Sequence, residues 1–299
     1  MPRVSIRESL KTLDWLRHSW HDVEIDRGED LFDPGLDYPG GCASAAEIGR
    51  VSGKFISPDS GLPLNYNGAG LSTNSGEMFP IENGSPVLLP EAARQFSKLC
   101  IEGLSIGSIR SAFDQYLYLC AVKNAVGNPN TPLDDPWYRR HLLRSRALVA
   151  TAHGLVLDIG CDNPELSRRL FPSTCEYLGI EPSFSTSEHF RVVGMAEFLP
   201  FAEGTFDCVC FLTSLDHVLD YQTAIGEAAR VLRPGGSLYL ATLIWTERAE
   251  LYRDTIHFHH FRDYEIQGAL KGFSVYRIRR YGWKGERHRF GVYLEAIKC

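Results

Sequence analysis

The stretch from Leu155 to Phe171, LVLDIGCDNPELSRRLF, decides the fold. Leu155, Val156 and Leu157 form an apolar run that ends in Asp158 and Gly160, and ELSRRLF then reads as an amphipathic helix. A buried strand, a tight turn and a helix place a loop at the strand's carboxyl end, where α/β sheets open a crevice for nucleosides. Asn163 is suited to cap the helix and Pro164 to be its first residue, because a proline there gives up only an N–H that has no helical partner.

Working outward, EYLGIE (176–181) is a second apolar strand that ends in Glu181. A carboxylate at that point accepts hydrogen bonds from both hydroxyls of a ribose. Between strand and helix there is no GxGxxG and no Lys-Ser/Thr pair, so the cradles for a dinucleotide pyrophosphate or a nucleoside triphosphate are missing. The expected ligand is a nucleoside without phosphates.

In this order the motifs resemble those of the class I S-adenosylmethionine-dependent methyltransferases, with a domain of the methyltransferase type 11 kind. VLDIGC (156–161) is similar to the family's first motif, and GIEPS (179–183) to its second strand with the ribose acid. GMAEFLPF (194–201) is similar to the adenine loop, and FDCVCFLTSLDHV (206–218) to the fourth strand and its exit. EAARVLRPGGSLYLATL (227–243) is similar to the helix, Gly-Gly turn and fifth strand that follow. Each motif alone is weak, whereas five in order across about half the chain are specific.

The resemblance implies a Rossmann-like α/β fold: a mixed seven-stranded sheet with helices on both faces and a terminal antiparallel hairpin. It implies S-adenosylmethionine as cofactor, held by Asp158, Gly160, Cys161 and Asp162, by Glu181 and Pro182, by Met195, Ala196 and Glu197, and by Phe211 and Leu212. The first motif departs from DxGxGxG by carrying Asp162 and Pro164 where glycines are usual. Asp162 still offers a carboxylate to the methionine ammonium group. Met195 stands where relatives often place an Asp, so its thioether is expected to pack on the purine while the Ala196 N–H serves a ring nitrogen.

Catalysis belongs at the exit of the fourth strand, where an acceptor meets the methyl group. Asp216 and His217 in TSLDHV are the general-base candidates there, His217 having the intrinsic pKa nearer neutrality. His257, His259 and His260 in IHFHHF resemble a metal constellation at first sight, but on a strand only His257 and His259 share a face, and no metal is expected. The basic residues of RIRRYGWKGERHRFG, Arg277 to Arg289, are read as a solvated hairpin between the last two strands. Trp137 and Tyr138 stand where methyltransferases often close the methionine end of the site.

Upstream, Ser57 and Ser60 form one SxxS pair, and Ser72 and Ser75 another, on turn sequences that precede the strand-like FPIENGSPVLLP. The pattern resembles a small zinc ribbon with every cysteine replaced by serine, and serine is too poor a zinc ligand for metal to be expected there. Three regions follow: an N-terminal arm with a metal-free ribbon-like module (1–90), a helical linker and cover (91–151), and the methyltransferase-like domain (152–299). The arm includes a helix read from IRESLKTLDWLRHSW, and the cover helices are read from PEAARQFSKLCIEG and IRSAFDQYLYLCAVKNAV.

With 299 residues, 44% hydrophobic and 23% charged, the chain has ordinary globular composition. A net charge of −6 offers no global attraction to nucleic acid. No apolar run reaches membrane-spanning length and MPRVSIRESLK lacks a signal-peptide core, so a cytoplasmic protein is expected. Eight scattered cysteines suggest no disulfide framework, and Cys208 and Cys210 read as buried small hydrophobes. The favoured reading is methyl transfer to oxygen or nitrogen of a small-molecule or glycan-type acceptor. A catalytically silent subunit that binds a partner enzyme, an RNA base methyltransferase and a homodimer stay open beside it.

Overall fold

The computed structural model describes residues 23–26, 43–44, 52–97, 136–182, 190–246, 257–284 and 288–299. The helix read over 6–20, the cover helix read over 109–126, the part of the first cover helix beyond Ser97, the Trp137 side chain and Arg287 lie outside the described residues. The N-terminal elements are β1 (Val23–Asp26), β2 (Ala43–Ser44), β3 (Asn65–Tyr66), β4 (Gly70–Ser72), β5 (Met78–Glu82), β6 (Ser85–Pro86) and α1 (Glu91–Ser97). There follow α2 (Pro136–Leu148), β7 (Gly154–Ile159), α3 (Pro164–Ser167), β8 (Cys175–Glu181), β9 (Val192–Val193) and β10 (Phe206–Leu212). The chain then runs through α4 (Tyr221–Val231), β11 (Leu232–Trp245), α5 (Asp263–Ala269), β12 (Phe273–Trp283) and β13 (Arg289–Lys298).

Seven strands in the order β9-β8-β7-β10-β11-β13-β12 make the expected mixed sheet, parallel except for β13, which pairs antiparallel with both β11 and β12. The sheet is larger than the seven strands expected, because two strands of the N-terminal segment extend it. β1 pairs with the outer edge of β12, and β2 shares the free edge of β8 with β9. Both additions cover backbone edges that would otherwise face solvent.

Side chains that alternate along the strands divide the core into two layers. Leu157, Ile159, Val209, Phe211, Leu238 and Leu240 face one layer, closed by Ala224, Ile225, Ala228 and Val231 of α4 and by Ile266 of α5. Val156, Tyr177, Cys208, Cys210, Tyr239 and Ala241 face the other, closed by Leu142 and Leu148 of α2 and by Leu170 and Phe171. The strands buried on both faces are apolar almost throughout, as parallel strands must be. Arg233-Pro-Gly-Gly236 does not end the helix in a separate turn. It is absorbed as a bulge in β11, where Phe206 pairs with Leu232 but Cys208 with Ser237.

Segment 52–90 folds as the small antiparallel sheet β3-β4-β5-β6. The Ser57 hydroxyl accepts the N–H groups of Asp59 and Ser60, Ser60 Oγ donates to Glu77, and Ser75 bonds Thr73. These are the ordinary turn roles of serine. The segment shares its core with the large sheet: Phe55 packs on Phe201 with ring centroids 5.6 Å apart, and Phe79 and Leu88 join the first layer. Backbone bonds tie Ile56 to Pro200, Ala202 to Lys54 and Leu88 to Val193 across the same seam.

The basic residues do not lie between the last two strands. Arg277, Arg279 and Arg280 are inside β12, Arg289 opens β13, and Lys284 alone of the described basic residues falls in the turn. Arg277 pairs with Glu295 at 3.2 Å, Arg280 meets Asp263 at 3.4 Å, and Arg289 stacks over Trp245. Among the described residues no helix is long and apolar enough to cross a membrane. The described cysteines are free: Cys161, Cys175, Cys208 and Cys210 buried, Cys299 exposed.

Candidate functional site

The strand order reverses between β7 and β10, and the crevice of an open α/β sheet lies at the carboxyl ends of the strands at such a point. Three loops meet there: the turn after β7, the end of β8 and the exit of β10. Gly160 has φ +78°, and a Cβ on it would stand 2.3 Å from Cβ of Ser214, so only glycine fits between the two loops. Ser214 donates from its hydroxyl to the Ile159 carbonyl, and the Gly160 N–H reaches Ile180 O at 2.8 Å, which fixes the turn against both neighbours.

Asp162 takes the left-handed conformation, φ +47°, without being glycine. Its N–H points to Glu181 Oε2 at 3.4 Å, and its carbonyl accepts from Arg191 Nη1 at 2.6 Å. These contacts offset the strain that a side chain brings to that region. Asn163 Oδ1 then accepts from Glu165 and Leu166 N–H, and Pro164 opens α3, as the sequence suggests. The chain therefore makes the turn of the first motif by a different local route.

Asp158 is buried beneath this turn and accepts from Tyr177 Oη at 2.8 Å. Burial pushes its carboxyl up to about 6, opposed by the hydrogen bonds from Tyr177, Cys210 and Ser167 and reinforced by Glu181. Burial, with help from the Asp162 and Asp158 carboxylates, pushes the Tyr138 phenol up to about 12, which sets Tyr138 on the Asp162 side of the site. His141 of α2 is buried with its Nδ1 at 3.1 Å from Tyr293 Oη and its Nε2 at 3.3 Å from Thr213 Oγ1. Burial, and then Arg144, lowers its pKa to about 4, so the imidazole is neutral at pH 7.

Several residues take places other than those expected. Met195 is fully buried in a cluster with Val87, Leu89, Ala93 and Val193, so its thioether is spent on the seam with the N-terminal segment rather than facing a purine. Glu197 turns its Oε1 to the N–H groups of Leu219 and Asp220 at 2.7 and 3.1 Å, bracing the loop that carries Asp216 and His217. Burial raises the Glu197 carboxyl, and those two bonds work against the rise. Cys161 is buried in the second core layer, its thiol pushed well up by burial. Phe211 is sealed in the first layer, Leu212 packs against the second, Ala196 starts a short 3-10 turn, and Pro182 follows Glu181 half-buried at the end of β8.

The exit of β10 holds a grouping that the sequence did not disclose. Asp216 and His217 sit on the 3-10 turn Leu215–His217, with Asp216 buried. The segment after β11 folds back so that Phe258 and His259 donate their N–H groups to the Asp216 carbonyl at 2.9 and 3.2 Å. This brings the His257 ring to 4.4 Å from that of His217, centroid to centroid. His259 stacks instead on Phe261, and His260 meets Trp245 edge-on, so the three histidines of IHFHHF do not act as one set. They lie in an irregular segment, not on a strand. His257 is 40 residues from His217, and no local spacing signals their meeting.

The donor chemistry suits S-adenosylmethionine in part. The Glu181 and Asp162 carboxylates suit a ligand with a vicinal diol and an ammonium group, and Gly160 keeps the turn free of a Cβ. The buried Met195 and the committed Glu197 do not contribute side chains to it in this arrangement.

Residues 157–240 match the methyltransferase domain family, and the mixed sheet with its order of motifs is similar to the Rossmann-like fold of class I methyltransferases. The chain is similar to the ubiquinone biosynthesis O-methyltransferase of Rhizobium rhizogenes (strain K84), 33% identical over 106 residues, 31% of this chain and 43% of that protein. The mitochondrial ubiquinone biosynthesis O-methyltransferase of Bos taurus is 28% identical over 132 residues, 38% of this chain and 36% of its own length. The match thus spans less than half the length of these curated relatives. Among solved structures, the 1,6-didemethyltoxoflavin-N1-methyltransferase of Burkholderia thailandensis, with S-adenosylhomocysteine bound, aligns over 64% of this chain and 91% of its own, with 14% identity and a TM-score of 0.48.

Proposed function

We propose that this chain transfers a methyl group from S-adenosylmethionine to a hydroxyl oxygen or an amine nitrogen of a small-molecule or glycan-type acceptor. The observation that carries the reading is the meeting of Asp162 and Glu181 at the Gly160 turn, on the carboxyl side of the sheet's switch point. Bound there, the sulfonium supplies an electrophilic methyl group. Glu181 accepts hydrogen bonds from the ribose hydroxyls, Asp162 holds the ammonium group, and Tyr138 closes the same end. His217, one-third exposed at the exit of β10, takes the acceptor proton at Nε2, and buried Asp216 steadies the imidazolium that results. The relatives named as O-methyltransferases favour oxygen over nitrogen.

The test is calorimetric titration of the purified chain with S-adenosylmethionine and S-adenosylhomocysteine, followed by Glu181→Gln. Micromolar binding near one per chain is expected, weakened about 10- to 100-fold by the substitution, since hydrogen bonds to a charged acceptor are worth about 1.5–3 kcal/mol. A folded chain that binds neither compound overturns the reading.

A further inference from the structure

We propose that Asp216, His217 and His257 form a binding site for one divalent transition-metal ion. One ligand atom from each lies within 4.8 Å of the other two. His217 Nε2 is 3.9 Å from Oδ1 of Asp216, and His257 Nε2 is 3.9 Å from Oδ2, so the two imidazoles flank opposite oxygens of one carboxylate. These gaps are longer than a hydrogen bond of about 2.7–3.2 Å. Donors that each stand about 2.1 Å from a shared tetrahedral ion lie about 3.4 Å from one another, so separations of 3.9 Å and up to 4.8 Å reach that spacing when each donor moves inward by less than about 1 Å.

The grouping is built by the backbone rather than left to long side chains. The Asp216 carbonyl clamps the N–H groups of Phe258 and His259, which fixes His257 against the turn that carries His217. Glu197 ties the following residues, Leu219 and Asp220, from the other side. The Asp216 side chain is 4% exposed, so its carboxylate is held in place within the turn rather than swinging in solvent. The His217 and His257 side chains are 33% and 23% exposed, so an ion held there keeps an accessible side.

Two imidazoles and one carboxylate select zinc, cobalt(II), nickel(II) or iron(II) over magnesium and calcium, which prefer sets made of oxygen alone. Three protein donors leave at least one coordination position open. On the methyltransferase reading that position takes the acceptor oxygen; with the ion bound His217 Nε2 is a ligand and no longer the base, and the ion lowers the acceptor's pKa so that the hydroxyl gives its proton to solvent and reaches the methyl group as an alkoxide or phenolate.

The experiment uses the full chain in a Cys299→Ser background, because the exposed Cys299 thiol competes for soft ions. The protein is stripped with a chelator and titrated with cobalt(II), with visible absorption as the readout, then with zinc. The expected result is one cobalt per chain, displaced by one equivalent of zinc, with affinity reduced at least tenfold by His257→Gln and by His217→Gln separately. Thermal melting and S-adenosylhomocysteine titration of the same samples separate failure of this site from failure of the fold or of the cofactor reading. Absence of stoichiometric cobalt binding by the folded chain, or binding that either substitution leaves unchanged, overturns the proposal.

Discussion

Replacing Asp158 by Asn tests the electrostatics beneath the Gly160 turn. In the folded chain burial raises the Asp158 carboxyl from its ordinary 3.8 to about 6. Between these values the folded state keeps a proton that the unfolded state has lost, so stability falls as pH rises through the window. At 1.36 kcal/mol per pH unit the interval is worth about 3 kcal/mol. His141 acts in the opposite sense: its pKa is lowered to about 4 from 6.5, so its contribution is full above pH 6.5 and is lost as pH falls towards 4. In the wild type the two nearly cancel between about pH 4 and 6, which would conceal either in a simple pH scan. The Asn variant keeps an oxygen acceptor for Tyr177 and removes only the titration. The assay is urea unfolding of both proteins, without cofactor, at intervals from pH 4 to 7. The stability of the variant relative to the wild type is expected to rise by about 3 kcal/mol across the range. A difference that stays flat, or falls, refutes the reasoning, because every other titrating group cancels in the comparison.

Four further outcomes follow from contacts already described. Gly160→Ala combines φ +78° with a Cβ 2.3 Å from Cβ of Ser214 and is expected to cost at least about 2 kcal/mol in denaturant unfolding, part of it recovered by adding Ser214→Gly. Met195→Ala opens a cavity in the seam cluster and should lower stability by about 2–4 kcal/mol, whereas an exposed residue facing a purine would change only cofactor affinity. Asn163→Ala removes the cap of α3, a loss of about 1 kcal/mol readable as a small fall in melting temperature. Phe55→Ala is expected to lower the melting of the whole chain in one transition, by about 3 kcal/mol; an early, separate transition for the N-terminal segment would contradict a shared core.

The strands β7 and β8 and the turn after β7 were legible because their signals are local. An apolar run closed by Asp158 and Gly160, a second run closed by Glu181, and a cap at Asn163 each occupy fewer than ten residues and formed where they were read, whereas the helix read from ELSRRLF is one α-turn, Pro164–Ser167, continued by a 3-10 turn over Arg168–Leu170. The site residues were legible as backbone positions but less so as side chains. Sequence order puts Met195 in the adenine loop, yet only tertiary packing reveals that Val87 and Leu89 arrive to bury it. Ser214, Arg191 and Tyr177 were not singled out, because their roles depend on the residues that face them: Ile159, Asp162 and Asp158 respectively. The basic run misled for a related reason. Alternating arginines on an edge strand resemble a polar loop until β1 and Glu295 supply their neighbours.

The same seam explains why the N-terminal segment bears on the site although it lies far from it in sequence. Leu88 N–H bonds Val193 O, and Val87 pairs in parallel with Val193, so the segment continues the sheet beside β9. The loop that starts at Gly194 is thereby fixed at its first residue, and Met195 buries the next side chain into the segment's own cluster. From Glu197 two backbone bonds reach Leu219 and Asp220, directly after the turn that carries Asp216 and His217. The chain of contacts from β6 through the loop 194–201 to the exit of β10 is therefore continuous, built of backbone bonds and one buried carboxylate. Continuity of this kind transmits a fixed position rather than a signal. A small sheet whose turns are closed by serine hydroxyls and whose apolar face is spent on the large sheet serves here as a wall, one that holds the loop 194–201 in register with the turn that carries Asp216 and His217.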